Sequence, residues 1–139
     1  KVLIYDPYVQ CDDSVSLERL QSESDVITLH VHVSDQTKKM IDSNFISKMK
    51  TGAYLINTSR GIIVDEKHVI AALVTKKLSG YATDVICDEL GGDLSESPIV
   101  CAARQGLNII ITPHIGGMTS DAREIAYNGV IDMLRKRLE

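Results

Sequence analysis

Four side chains with chemistry to offer stand at or just beyond the ends of apolar runs: Arg60 in INTSRG, Asp84 and Glu89 in ATDVICDE, and His114 in ITPHIGG. Arginine presents a planar fork of donors that matches a carboxylate bidentately, so Arg60 can clamp a carboxylate-bearing substrate and polarise a neighbouring carbonyl. Histidine titrates near neutral pH, and a carboxylate on one ring nitrogen fixes its orientation and favours its protonated form. Glu89 and His114 together suit the movement of a proton on a 2-hydroxy or 2-keto acid, with a separate group moving the hydride. On residue type alone each is more often a solvated loop side chain. Their common placement after strands is what raises them.

A further carboxylate, Asp6, closes the run VLIYD. At the end of the second strand of a dinucleotide-binding sheet, such a residue accepts hydrogen bonds from the adenine-ribose hydroxyls and repels a 2′-phosphate, which favours NAD over NADP. The GxGxxG loop that precedes it by about 20 residues in such folds does not occur in this sequence.

The elements that must position these groups are legible as five runs rich in Val, Ile and Leu: 2–5, 26–29, 53–56, 81–85 and 108–112. They are continuously apolar and separated by stretches long enough for crossover helices, the pattern of a parallel sheet covered on both faces. The class is α/β. Between the runs, Ser14 or Ser16 precedes a short amphipathic segment with Leu17 and Leu20, and Asp42 and Ser43 open a turn carrying Phe45, Ile46 and Met49 that Gly52 stops. Asp65 precedes a helix over 66–74, Ser97 and Pro98 precede a segment over 99–103, and Gly91 with Gly92 reads as a turn. Last comes a long helix capped by Thr119 or Ser120, with Ala122, Ile125, Ala126, Gly129, Val130, Met133 and Leu134 on one stripe. In an open parallel sheet, ligands bind beyond the carboxyl ends of the strands. Arg60, Asp84, Glu89 and His114 therefore share one edge.

Composition excludes several classes. The 139 residues are 44% hydrophobic and 24% charged, with a net charge of -4 and no basic block to follow a phosphate backbone, which argues against nucleic acid. Cys11, Cys87 and Cys101 lack CxxC spacing, so neither a disulfide framework nor a metal site is expected, and a reducing cytoplasm fits. No run approaches the ~20 apolar residues that span a bilayer. The chain does not begin with methionine and starts at once on an apolar run, as a piece of a longer protein would.

The strings YDPY, SDVITLHV, MKTGAYLINTSRG, IVDE, GYATDV and ITPHIGG, in this order and spacing, resemble the D-isomer-specific 2-hydroxyacid dehydrogenases over essentially the whole chain. The resemblance implies a doubly wound, Rossmann-like parallel sheet, incomplete because its first strand and glycine-rich loop are absent. Residues 1–139 then form part of a dinucleotide-binding domain, with the substrate-binding domain not in this chain. It implies NAD as cofactor, Arg60 as the substrate arginine, Glu89 as the partner of the histidine and His114 as the general acid in keto-acid reduction. Asp84 is implied to hold the nicotinamide carboxamide and Asp6 the ribose, while His30, Thr58, Ser59, Gly116 and Gly117 line the cofactor groove. A homodimer is implied too. Two departures stand out: Leu90 replaces a usual proline after the glutamate, and His32-Val33-Ser34 replaces a proline-containing segment. The absent strand lies mid-sheet in the family order, so the isolated chain is expected to have a gap there and to bind NAD weakly. An NAD-responsive regulator of the corepressor kind on the same scaffold would carry the same Arg, Glu and His.

Overall fold

The computed structural model describes every residue except Asp88, Leu90, Gly92 and Glu139, so the sequence departure at Leu90 and half of the expected Gly91–Gly92 turn lie outside the described residues. Four strands, β1 (Val26–Leu29), β2 (Ala53–Asn57), β3 (Leu78–Thr83) and β4 (Ile109–Ile111), form one sheet in the order β1-β2-β3-β4. All three pairings are parallel. Helices α1 (Leu17–Glu23), α2 (Ser43–Lys48), α3 (Glu66–Val74) and α4 (Pro98–Arg104) precede or link the strands, and α5 (Ser120–Leu138) ends the chain.

Local signals explain most of the boundaries. The Ser16 hydroxyl accepts from Arg19 N–H at 3.2 Å to open α1, and the Asp42 carboxylate accepts from Phe45 N–H at 2.8 Å to open α2. Helix α2 ends earlier than expected, with Met49 as its C-cap; Gly52, at φ +84, instead makes the left-handed turn into β2. Strand β3 begins at Leu78 and stops at Thr83, sooner than the apolar run to Val85 suggested, because the Thr83 hydroxyl bonds the Val85 backbone and turns the chain. The Thr119 hydroxyl accepts from Ala122 N–H at 3.2 Å and opens α5.

Two expectations are corrected. Residues 2–5 are not a strand of the sheet: Ile4 makes only an isolated parallel bridge with Ser14. Strand β1 pairs with β2 alone, so the position where the first family strand would pair is an open edge, and a single bridge is too little to hold residues 2–5 as a strand. Nor is the sheet covered on both faces. Buried and more accessible residues alternate along β1 and β2, with Ile27, Leu29, Ala53 and Leu55 buried while Val26 and Tyr54, and Ile110 in β4, stay exposed. Handedness supplies the reason: right-handed crossovers that always step the same way across a sheet place every connecting helix on one face. Only strands wound from β1 in the other direction would cover the opposite face.

The core lies between the sheet and this one helical layer, built from Ile27, Leu29, Ile41, Leu55, Ile63, Val64, Val69, Leu78 and Ile99, with Phe45 and Met49. Helix α5 contributes nothing to it. None of its described residues is buried, and the stripe with Ile125, Val130, Met133 and Leu134 faces outward.

Candidate active site

The carboxyl ends of β2, β3 and β4 carry the chemistry. Each apolar run closes on a polar residue: Asn57 after Ile56, Thr83 after Ala82, Thr112 after Ile111. These residues explain how a charge can be delivered at the end of a buried strand. Asn57, fully buried, donates from Nδ2 to the Arg60 carbonyl at 3.0 Å and accepts from Ser59 N–H at 3.0 Å, folding the chain back over the strand end. Ser59 adds a bond from its hydroxyl to the Leu29 carbonyl at 2.8 Å, tying the loop to β1. The backbone of Arg60 is thereby fixed while its exposed guanidinium rests on the Ser59 carbonyl, 2.7 Å away.

Asp84 organises the loop after β4. Its Oδ1 accepts from the Thr112 hydroxyl at 2.5 Å and from Ile115 N–H at 3.0 Å, and its Oδ2 from Gly116 N–H at 2.8 Å. Burial pushes the Asp84 carboxyl up, but the bonds from Thr112, Gly116 and Ile115 and the nearby His114 outweigh it and hold the group below its ordinary range. A Cβ on Gly116 would lie 3.0 Å from Asp84 Oδ2, so a side chain there would crowd the anchor.

His114 sits at the apex of this loop with φ +53, a left-handed conformation disfavoured for a side-chain-bearing residue and sustained here by the surrounding bonds. Its Nδ1 lies 2.8 Å from Glu89 Oε1. A carboxylate can only accept, so Nδ1 carries the proton of that bond and Nε2 is left for a ligand. The two line a cavity of about 320 Å³ with Asp84 and Thr112, and its remaining walls are apolar, from Ile86, Leu94, Val100, Ile111 and Pro113. That is within the size range of small-molecule sites.

The sequence-derived residues divide accordingly. Glu89, His114, Asp84 and Gly116 come together, and Gly117 follows with open space where a Cβ would be. Arg60 is not in the cavity wall; it follows β2 whereas His114 follows β4, two strand spacings or about 10 Å across the edge. Thr58 is exposed on the Arg60 loop, beside Ser59. His30, exposed past β1, places Nε2 3.1 Å from the Thr28 hydroxyl. Asp6 stands apart on the first segment, accepting from Tyr8 and Val9 N–H through Oδ1 at 2.8 and 3.2 Å. Asn57, Thr83 and Thr112 were missed as positioning residues, although a polar residue closing each of three apolar runs was a visible signal. Among the described residues no cluster of His, Cys, Asp and Glu could hold a metal, and the three cysteines are free.

Residues 1–116 match the family described as D-isomer specific 2-hydroxyacid dehydrogenase, NAD binding domain. The chain belongs to this family. It is 39% identical over 132 residues to a glycerate dehydrogenase of Methylorubrum extorquens, covering 95% of this chain and 40% of that protein. To a D-3-phosphoglycerate dehydrogenase of Synechocystis it is 35% identical over 142 residues, 97% of this chain and 24% of the relative. Among solved structures, the D-lactate dehydrogenase of Aquifex aeolicus complexed with NAD and lactic acid superposes with a TM-score of 0.77 at 34% identity, over 99% of this chain and 46% of that one. The chain thus spans less than half the length of these relatives. Its fold is the parallel, Rossmann-like α/β fold of the family's NAD-binding domain, and the family is one of NAD-dependent oxidoreductases.

The residues present fit that cofactor at its two ends. Of the roughly four lone-pair sites of a carboxylate, Asp84 uses three within the loop, which leaves one on Oδ2 for the amide of a nicotinamide. Both backbone bonds to Asp6 fall on Oδ1, and Oδ2 has none among the described residues, so it can accept from a ribose hydroxyl. The sequence contains no GxGxxG string of the kind that cradles a pyrophosphate.

Proposed function

We propose that the chain is the larger part of the NAD-binding domain of a dehydrogenase that interconverts D-2-hydroxy acids and 2-keto acids, with a substrate-binding domain elsewhere in the protein. The observation that carries the reading is the 2.8 Å bond between His114 Nδ1 and Glu89 Oε1 at the mouth of a small cavity on the ligand edge of the sheet.

The nicotinamide cofactor, when bound, supplies the hydride. His114, oriented by Glu89 through its Nδ1–H, gives the Nε2 proton of the doubly protonated ring to the carbonyl oxygen of the keto acid, and the neutral ring left behind takes a proton on Nε2 in the oxidation. Arg60 holds the substrate carboxylate; an arginine side chain is long enough to close much of the gap across β3, and its fixed backbone limits where the guanidinium can go. Asp84 receives the carboxamide, Asp6 the ribose, and His30, Thr58, Ser59, Gly116 and Gly117 border the groove between them. Ile86, Leu94 and Val100 give the acid–base pair an apolar wall on one side.

A homodimer in a reducing cytoplasm completes the proposal. The uncovered stripe of α5 and three free cysteines support it, and no helix among the described residues is long and apolar enough to cross a membrane. The test is NADH oxidation by the full-length protein with glyoxylate, pyruvate, hydroxypyruvate and phosphohydroxypyruvate. Turnover of at least one is expected. Tight NADH binding with no reduction of any would contradict the assignment.

A further inference from the structure

Glu66 is a carboxylate in an unusual place. It opens α3 and is 8% exposed, next to Ile63, Val64 and Val69, which are wholly buried. An acidic residue in the first turn of a helix is favoured by the helix dipole, but that benefit is available at the surface, where no desolvation is incurred. Asp65, one residue earlier and more accessible, already supplies a negative charge at this helix end, paired with Lys39 at 3.5 Å. Glu66 instead turns inward and accepts from the backbone N–H of Cys87 at 2.8 Å, in the loop that follows β3.

That stretch of loop is gripped from a second side. A Cβ built on Gly61 would lie 2.1 Å from the Ile86 carbonyl carbon and 2.5 Å from Cys87 N, so the backbone after Arg60 lies directly against the backbone of Ile86 and Cys87. Two residues beyond Cys87 comes Glu89, at most about 7 Å further along even a fully extended chain. Displacement of Cys87 therefore passes to Glu89, and the hydrogen bond to His114 tolerates only a few tenths of an ångström.

We propose that Glu66 is a positioning residue for the acid–base pair: by holding Cys87 against Gly61, it sets the Glu89 carboxylate at bonding distance from His114 Nδ1 and in register with the Arg60 loop. The inference rests on the dehydrogenase reading of the site. Loss of the Glu66 acceptor loosens the hold on Cys87, which keeps its Sγ contact to the Val64 carbonyl at 3.8 Å, leaves the backbone clamp on Arg60 through Asn57 in place, and so acts on kcat more than on KM for the keto acid.

The experiment uses the full-length protein, with Glu66→Ala, Glu66→Gln, Glu89→Gln and the Glu66→Ala/Glu89→Gln double variant. Glu66→Ala is expected to lower kcat by roughly 10-fold to 100-fold, the scale of a misplacement near 1 Å, with little change in KM. Glu66→Gln, which keeps an amide oxygen for Cys87 N–H, is expected to recover most of the loss. The double variant should be no slower than Glu89→Gln alone, because Glu66 acts through Glu89. Losses that multiply in the double variant, or Glu66→Gln as slow as Glu66→Ala, would overturn the proposal. If Glu66→Ala does not fold, Glu66→Met fills the same volume without the acceptor and is read in the same way. Wild-type protein that reduces no keto acid refutes the dehydrogenase reading itself; an active wild type with an unimpaired Glu66→Ala variant refutes only the role given to Glu66.

Discussion

The loops after β2, β3 and β4 and the helix α5 are opposite kinds of structure within one chain. In the loops, buried or half-buried polar side chains hold backbone groups: Asn57 on Ser59 and Arg60, Glu66 on Cys87, Asp84 on Ile115 and Gly116. Helix α5 has local bonds but no buried described residue, and its Ile125, Met133 and Leu134 are exposed. The difference teaches where this sequence completes its own structure. The edge that carries Arg60, Asp84 and His114 is assembled from three adjacent strands, while α5 and the outer sheet face present apolar surface that none of the described residues covers. The loops are fixed by local polar bonds; the apolar stripe of α5 is left facing out.

That contrast can be broken from the loop side first. Gly61→Ala should be the most damaging loop substitution, because its Cβ would lie within 2.5 Å of three backbone atoms of Ile86 and Cys87 that cannot swing away. A loss of about 3 kcal/mol or more is expected in denaturant unfolding of the full-length protein. Asn57→Ala comes next. It strips partners from one half-buried N–H and one carbonyl and should cost about 2 kcal/mol by the same measurement, with KM for the keto acid raised because the Arg60 backbone is released.

Acid titration sharpens the comparison. The Asp84 carboxyl is held below its ordinary value in the folded chain, so the bound carboxylate contributes stability that is fully present above the unfolded pKa of about 4 and is lost as pH falls through the lower folded value. Asp84→Asn should lower stability at neutral pH and flatten its decline on acidification. Parallel acid profiles for variant and wild type would contradict the anchoring role.

At the small end stands α5. Ile125→Ser should change the stability of the 139-residue chain by less than about 0.5 kcal/mol, as expected for an exposed position. A clearly larger loss in the full-length protein would show that this face is covered there.

Much of this was legible in the sequence, for identifiable reasons. The run 26–29 is β1 and the segment 66–74 is α3, because an uninterrupted apolar run and a helical spacing after Asp65 agree with the contacts that form. The edge shared by Glu89 and His114 followed from parallel strands alone. The run 2–5 misled because apolar sequence states a capacity to pair, and here the partner strand is not in the chain. Cover on both faces was misread because a continuously apolar run does not say which of its residues are buried, and Ile110 is apolar yet exposed. Glu66 was hidden most deeply. In the sequence it is one more acidic residue at a helix start, and only the folded chain shows it accepting from the backbone N–H of Cys87, 21 residues away.

The most direct test of the account is kcat for keto-acid reduction by the full-length protein with His114→Ala and Glu89→Gln beside wild type, at saturating NADH and unchanged NADH affinity. A fall of about 10²-fold to 10⁴-fold is expected for His114→Ala, the usual scale of general acid catalysis, and a smaller fall for Glu89→Gln. Near-wild-type turnover in His114→Ala would show that the pair at the cavity mouth is not the proton donor, and the central claim would fail.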